Sequence, residues 1–316
     1  RKSLPIFRPC LRLVVDKVGG HPTPNKSKAK GYQMFPFPRA LAVEAISYMC
    51  MCGVVHMSLR PVVRRFPAIE HRFYGDWINR CVASLHAAVA GVVSTRALFS
   101  EEPFKSFTLA LLTLDTEVVL STNFFEGRSS TLASLLPFTL GYMLYDCVVM
   151  CIDAEVYMPL MVVHHFGSLF AWPVSLLSGS CQFYVLHMLS TEITSCLLHP
   201  AVFFLPKHGL KGTTLHTVVG LSLIGAFTIF RILPLPLFIL SMWAARSHFW
   251  ALPPHIFWIS VFSLPVPAVL NVYWYCLLVK GALKSLGIIG AGSKKQKRGS
   301  SGGSSGTLQS THKKET

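Results

Sequence analysis

Residues 158–177 read MPLMVVHHFGSLFAWPVSLL, a run of twenty residues that contains no Asp, Glu, Lys or Arg. A membrane helix needs about 20 consecutive apolar residues, so this stretch predicts a transmembrane helix. Near its middle stand two adjacent histidines, His164 and His165. Ionisable side chains at membrane depth are costly and usually face a bundle interior or a wet cavity, which makes this pair the first candidate for a functional site.

Six further apolar stretches have a similar length. They cover residues 40–59, 81–100, 131–152, 181–205, 214–244 and 256–279. Together with 158–177 they predict an all-α integral membrane protein with seven transmembrane helices. Residues 107–120 are apolar but short and carry Asp115 and Glu117, which favours an interfacial or re-entrant piece over a span. Pro234 and Pro265, each followed closely by another proline, predict bends in the last two spans.

The composition also indicates a membrane protein. Of 316 residues, 52% are hydrophobic and 14% are charged, whereas soluble domains carry about 25% charged residues. Many of the basic residues behind the net charge of +15 lie in an N-terminal arm, after the first span and in a C-terminal tail. In those positions they set topology and attract anionic headgroups. We therefore expect membrane lipids as partners and no nucleic acid, since the sequence has no zinc-finger or recognition-helix pattern.

The last four residues, Lys313-Lys314-Glu315-Thr316, match a di-lysine address for retrieval to the endoplasmic reticulum. Coat proteins read such an address from the cytosol, so we expect a cytosolic C-terminus. The alternative is a solvated charged tail. With seven spans the basic N-terminal arm would then be lumenal, against the positive-inside rule, whereas an eighth span at 107–120 would bring both ends to the cytosol.

Among the charged residues within the apolar stretches, Asp146, Glu192 and Arg231 are the ones that we group with the histidine pair. The pair could act as a general base or nucleophile, or could hold neighbouring helices together through hydrogen bonds. Asp146 could fix one tautomer of a histidine or pair with Arg231, and a carboxylate partner is expected for Arg231. No His-x-x-x-His or Glu-x-x-His spacing supports a metal site, so we expect neither a metal nor a cofactor.

Six short motifs follow one another over residues 79–281. They are Asn79-Arg80 with Ser84-Leu85-His86-Ala87, Gly141-Tyr142 with Tyr145-Asp146, His164-His165, Glu192 with Thr194-Ser195, Phe230-Arg231 with Pro234, and Leu270-Asn271 with Tyr273-Trp274-Tyr275 before Gly281. In this order they resemble the TLC-domain membrane proteins, the TRAM, Lag1 and CLN families. The resemblance covers about two-thirds of the chain.

This resemblance implies a bundle of six helices around a lipid-accessible cavity, preceded by one extra helix. We accordingly expect a loosely ordered basic arm at 1–38, an extra transmembrane helix at 39–60, the TLC domain at 75–283 and a flexible basic tail at 284–316. Several polar residues are expected to line the lipid cavity or to hold the helices together. They are His86, Tyr145, Ser195, Arg231, Asn271 and Trp274.

The ceramide synthases of this family use their paired histidines to transfer an acyl group from acyl-CoA to a sphingoid amine, and they carry an Asp-x-x-Asp pair in the next helix. Here Glu192 and Ser195 stand at those two places. The resemblance therefore favours a smaller TLC-domain protein that binds or handles lipids or acyl chains and affects membrane lipid composition. The alternative is an acyl-CoA-dependent N-acyltransferase in which His164, His165, Asp146 and Glu192 are catalytic. A lipid or solute transporter ranks third, because no internal repeat is evident.

Overall fold

The computed structural model describes residues 39–66 and 69–289, and every regular element in this part of the chain is helical. Seven helices are long and apolar enough to cross a membrane, which confirms the predicted all-α fold with seven spans. In chain order the helices are α1 (Arg39–Val63), α2 (His71–Ser100), α3 (Phe104–Thr113), α4 (Thr116–Ser121), α5 (Ser130–Ile152), α6 (Pro159–Ser178), α7 (Gln182–Lys207), α8 (Thr214–Ala244), α9 (Arg246–Trp250) and α10 (Pro254–Ser285). The arm at 1–38, Lys313, Lys314 and the rest of the tail beyond 289 lie outside the described residues.

The three shortest helices, α3, α4 and α9, do not span a membrane. The apolar piece at 107–120 falls in α3 and α4, which are separated by Leu114 in a left-handed backbone conformation with φ 57°. The outer surface of the longer helices carries large exposed apolar side chains such as Ile152, Phe170 and Phe262. A surface of this kind matches the hydrocarbon of a bilayer.

The start of α2 differs most from the sequence prediction, because the helix begins at His71 rather than near residue 81. Asp76 and Arg80 lie one helical turn apart, and Nε of Arg80 donates a hydrogen bond of 2.8 Å to Oδ1 of Asp76. The guanidinium also lies over the ring of Phe203, 4.2 Å from its centre. Because each charge has a partner on or beside the helix, Arg80 belongs to the helix and not to the preceding loop.

Two glycines allow the spans to approach closely. A Cβ atom at Gly141 of α5 would lie 2.5 Å from the carbonyl oxygen of Ala45 in α1, and one at Gly91 of α2 would lie 2.6 Å from the backbone nitrogen of Ile193 in α7. Lipid does not drive helices together, so close packing at small residues and interhelical hydrogen bonds supply much of the association. These contacts bring α1 against α5 and α2 against α7.

Irregular turns interrupt α7 and α8 where their polar residues lie. Thr191–Thr194 forms a 3₁₀ turn in α7, and Thr228–Ile232 forms a π turn in α8 immediately before the prolines. The amide of Leu233 bonds to the carbonyl of Thr228 at 2.8 Å, which closes the wider turn. Such turns change the rotational position of the residues that follow and recur at functional sites.

One end of the bundle is closed by α3, α4 and an aromatic cluster. The rings of Phe107 and Phe124 stack with centroids 3.5 Å apart, and Phe183 packs edge-on against Phe107 at 4.9 Å. At the same end Glu101, just after α2, accepts hydrogen bonds from the hydroxyls of Ser129, Ser130 and Thr131. Burial alone would raise the pKa of Glu101, but these hydrogen bonds together lower it below its ordinary value. The carboxylate thus ties the end of α2 to the start of α5.

Candidate functional site

Asp146 and His165 meet at the buried contact between α5 and α6. Oδ2 of Asp146 lies 3.3 Å from Nδ1 of His165, and each residue is only 4% exposed. The two atoms are not aligned as a hydrogen bond, so Nδ1 has no hydrogen-bond partner among the residues that the structure describes. Oδ1 of Asp146 accepts a hydrogen bond of 2.7 Å from Nδ2 of Asn79 in α2. Of the two positions that the sequence allowed for Asp146, the structure places it beside a histidine.

Arg231 lies at the centre of a second buried group, which we call the Arg231 cluster. Its Nε donates to Oγ1 of Thr194 at 2.9 Å, one Nη donates to Oδ1 of Asn271 at 2.9 Å, and the other donates to the carbonyl of Thr191 at 3.0 Å. The nearer oxygen of Glu192, the fifth member, is 3.9 Å from the guanidinium. The expected carboxylate is therefore present, but at ion-pair distance, while neutral groups accept the hydrogen bonds.

Glu192 is the least enclosed member of this cluster, with 24% of its side chain exposed. One oxygen accepts a hydrogen bond of 3.1 Å from the hydroxyl of Ser195, one turn further along α7. Its other oxygen is the one that lies 3.9 Å from the guanidinium of Arg231. The two positions of the Asp-x-x-Asp pattern thus form a hydrogen-bonded Glu–Ser pair in this chain.

His164 lies between the two groups. Its ring centroid is 5.6 Å from that of His165 and 6.3 Å from that of Trp274 in α10. On the other side of His165, the ring of Tyr142 packs at 5.9 Å and stacks on His86 at 4.0 Å with an interplanar angle of 12°. The adjacent histidines therefore face different neighbours, as the turn of about 100° between consecutive helical residues requires.

Tyr145 has a partner that sequence reasoning missed. Its hydroxyl lies 2.7 Å from Nδ1 of His56 in α1, and both residues are buried. His56 stands in an apolar stretch, so the signal that singled out His164 and His165 applies to it as well. The contact connects α1 to the residue that precedes Asp146 in α5.

A cavity of about 200 Å³, which we call the side cavity, lies between α2, α3, α7 and α8. His187 and Ser190 line it, whereas His164 and His165 are not among its lining residues. The polar groups described above and this space are therefore separate features of the bundle. Within residues 39–66 and 69–289, no three His, Cys, Asp or Glu side chains are grouped so that they could hold a metal ion.

Comparison with protein families gives a match to the TLC domain over residues 76–280. The chain belongs to the TLC-domain family. The match begins within α2, so α1 with His56 precedes the matched region, and it ends in α10 after Trp274. Comparison of this TLC-domain chain with curated proteins and with solved structures gave no significant match.

Proposed function

We propose that this TLC-domain protein binds a membrane lipid or an acyl chain inside its bundle and thereby affects membrane lipid composition. The observation that carries this proposal is unused hydrogen-bonding capacity in the Arg231 cluster. The guanidinium has five N–H donors and uses three of them, and one oxygen of Glu192 accepts no hydrogen bond from the described residues. Buried polar groups normally have partners, so a polar headgroup or carbonyl would complete this set.

The chemistry of the cluster favours a ligand that offers both acceptors and donors. Arg231 would donate to a phosphate, carboxylate or carbonyl oxygen, and Glu192 would accept from an amine or hydroxyl. His164 adds a ring whose nitrogens make no hydrogen bond to the described residues. The apolar chains of such a ligand would pack among the spans, as in other sites with few polar groups in an apolar wall.

Lipid mass spectrometry on the purified protein tests this proposal. We expect a defined lipid class to co-purify with the wild type and to be depleted several-fold in Glu192→Gln and His164→Phe. His255→Phe is the matched control, because His255 is exposed at the start of α10. Recovery of the same lipid from all four proteins, in bulk-membrane proportions, would contradict binding at this cluster. A cell that lacks the protein should also show an altered lipid profile.

A second function, acyl transfer from acyl-CoA to a lipid amine, is favoured by the contact between His165 and Asp146. A proton on Nδ1 directed at the carboxylate would leave Nε2 of His165 free to act as a general base. The amine nitrogen would then attack the thioester carbonyl, a C–N bond would form, the C–S bond would break, and the amine proton would pass to Nε2. The thiolate of coenzyme A would leave and take up a proton.

An acyl-transfer assay with acyl-CoA and a panel of sphingoid and other lipid amines separates the two functions. If the chain is an acyltransferase, amide product forms with the wild type and is lost in the His164→Ala/His165→Ala double variant. In that case Asp146→Asn should lower the rate and change its pH profile, because the histidine loses the carboxylate beside it. Absence of product from wild-type protein that retains its lipid would leave binding as the function.

We also propose that the basic side of the bundle faces the cytosol in the endoplasmic reticulum. Because the seven spans alternate in direction, the C-terminal ends of α1, α5, α7 and α10 share one side. The described basic residues at that side are Arg60, Arg64, Arg65, Arg72, Lys207, Lys211, Lys280 and Lys284, and they outnumber those near the other side, which are Arg39, Arg96, Lys105, Arg128 and Arg246. The positive-inside rule supports this orientation. Replacing Lys313 and Lys314 by serine should release the protein from the reticulum if coat proteins recognise the tail.

A further inference from the structure

We propose that the side cavity is a second ligand site, which takes a neutral amphiphile with a single hydroxyl group from the surrounding bilayer. The cavity lies between α2, α3, α7 and α8, and residues with apolar side chains form most of its wall. Its volume of about 200 Å³ is suited to the polar end and a short length of chain or one ring. A cavity of roughly 150 Å³ holds benzene, so about eight carbon atoms fit.

Two polar side chains in the wall make no hydrogen bond to the described residues. Oγ1 of Thr108 in α3 is buried and has no hydrogen-bond partner among the described residues. The ring of His187 in α7 packs between Phe183 and Phe238, with centroid distances of 6.3 and 5.7 Å, and its nitrogens make no hydrogen bond to the described residues. The hydroxyls of Ser190 and Thr95, by contrast, already donate to the carbonyls of His187 and Gly91, each at 2.7 Å. Thr108 and His187 are thus the groups of the wall that can still donate a hydrogen bond to a ligand.

The chemistry of these two groups selects the ligand class. A neutral imidazole and a threonine hydroxyl can each donate or accept, so a single ligand hydroxyl can accept from one and donate to the other. No Asp, Glu, Lys or Arg lines the cavity. An ionised headgroup would therefore lose its hydration without a partner charge, which excludes a carboxylate or a phosphate.

The rim of the side cavity indicates how the ligand enters. Phe99, Leu112 and Ile229 line the cavity and are 46%, 59% and 59% exposed, so they lie on the surface that faces lipid. The ligand would reach the cavity sideways from the hydrocarbon layer. Ile229 and Arg231 lie two residues apart in the same π turn of α8. Arg231, however, is not among the residues that line the cavity, and its side chain bonds to Asn271 instead. The site therefore does not depend on the ligand proposed for the Arg231 cluster.

Photolabelling in detergent micelles tests this site. The probe is a long-chain primary alcohol with a diazirine near the hydroxyl, and the matched probe is the corresponding alkane with the diazirine at the same carbon. In the wild type we expect the alcohol to label peptides of α3, α7 and α8 around the cavity, and an excess of unlabelled alcohol to reduce that labelling at least five-fold. Labelling by the alkane should spread over the lipid-facing helices and resist competition.

Isosteric variants then assign the polar contacts. Thr108→Val and His187→Phe should each lower alcohol labelling of the cavity several-fold. Thr113→Val, on the same helix as Thr108, should not, because its hydroxyl bonds to the carbonyl of Leu109 at 2.9 Å. His164→Phe should also leave the labelling unchanged, which distinguishes this site from the Arg231 cluster. Wild-type labelling that is not saturable, or that is as strong with the alkane as with the alcohol, would overturn the proposal even if both cavity variants fail to fold.

Discussion

Replacing Arg231 by methionine is the sharpest test of how the bundle is held together. The variant keeps the length of the side chain but removes the donors to Thr194, Asn271 and the carbonyl of Thr191. Interhelical hydrogen bonds in membranes contribute roughly 0.6–1.7 kcal/mol each, so three of them give about 2–5 kcal/mol. Removal of one partner from a buried charge pair costs about 3–5 kcal/mol, which is consistent with this sum. We expect Arg231→Met to lower the free energy of unfolding by this amount.

Unfolding of the purified protein by SDS in mixed micelles, followed by tryptophan fluorescence, measures this change. Arg72→Met is the matched control, because Arg72 pairs with Glu70 at the surface and 66% of its side chain is exposed. Such pairs contribute about 0–1 kcal/mol, so the control should unfold close to the wild type. The Arg231→Met single variant leaves the carboxylate of Glu192 without its cation. Adding Glu192→Gln should therefore restore about 1 kcal/mol of the free energy of unfolding. A loss below about 1 kcal/mol in Arg231→Met would refute the reasoning.

Three further predictions concern helix contacts and the closed end of the bundle. Gly91→Ala should destabilise the protein by about 1–3 kcal/mol in the same SDS assay, because the added methyl group meets the backbone of the facing helix. His56→Phe and Tyr145→Phe should each cost about 1 kcal/mol, and the double variant little more than either, since one shared hydrogen bond is lost in all three. Glu101 has a lowered pKa in the folded state, so its stabilising contribution is complete above the unfolded pKa of about 4.3 and is lost as the pH falls through the folded value. Thermal unfolding between pH 7 and pH 3 should therefore show a steeper loss for the wild type than for Glu101→Gln.

Each of these predictions has a control or an opposing result. Gly53→Ala adds a methyl group where nothing lies within 4 Å, and it should leave stability unchanged. Equal effects at Gly53 and Gly91 would mean that close helix contact is not the cause. Fully additive losses at His56 and Tyr145 would show that the two side chains act independently. If Glu101→Gln and the wild type lose thermal stability equally at every pH, the carboxylate of Glu101 does not contribute to the acid sensitivity.

Length and composition were sufficient to predict the spans, because each must supply about 20 apolar residues whatever it packs against. The start of α2 was missed because composition alone does not mark a helix that begins with charged residues. Taken singly, Asp76 and Arg80 are charged residues that interrupt the apolar pattern. Their ion pair, one helical turn apart, lets the helix continue through them. The positions of the buried ionisable residues were also readable from the sequence, since such residues stand out in apolar stretches. His56 carried the same signal and was overlooked.

The partners of those residues were not predictable. Periodicity fixes the face on which a residue lies within one regular helix, but it does not say which helix faces it. In α7 even the periodicity fails, because the 3₁₀ turn at Thr191–Thr194 rotates everything that follows. The carbonyl of Thr191 in this turn accepts from both Thr194 and Arg231, and no side-chain motif could reveal such a backbone acceptor. The side cavity depends on packing among four helices and left no pattern in the sequence.

The two adjacent histidines of α6, His164 and His165, occupy unequal positions. His165 is buried beside Asp146, whereas His164 is less enclosed and its ring lies near that of Trp274. A histidine that acts as a general base needs a fixed ring orientation, which Asp146 would give to His165. A histidine that contacts a ligand must be accessible to that ligand, and His164 is the more accessible of the two. Lipid binding would therefore depend on His164 more than on His165, while acyl transfer would require His165 together with Asp146. Because the two functions place their demands on different members of one adjacent pair, single substitutions distinguish them where the double variant cannot.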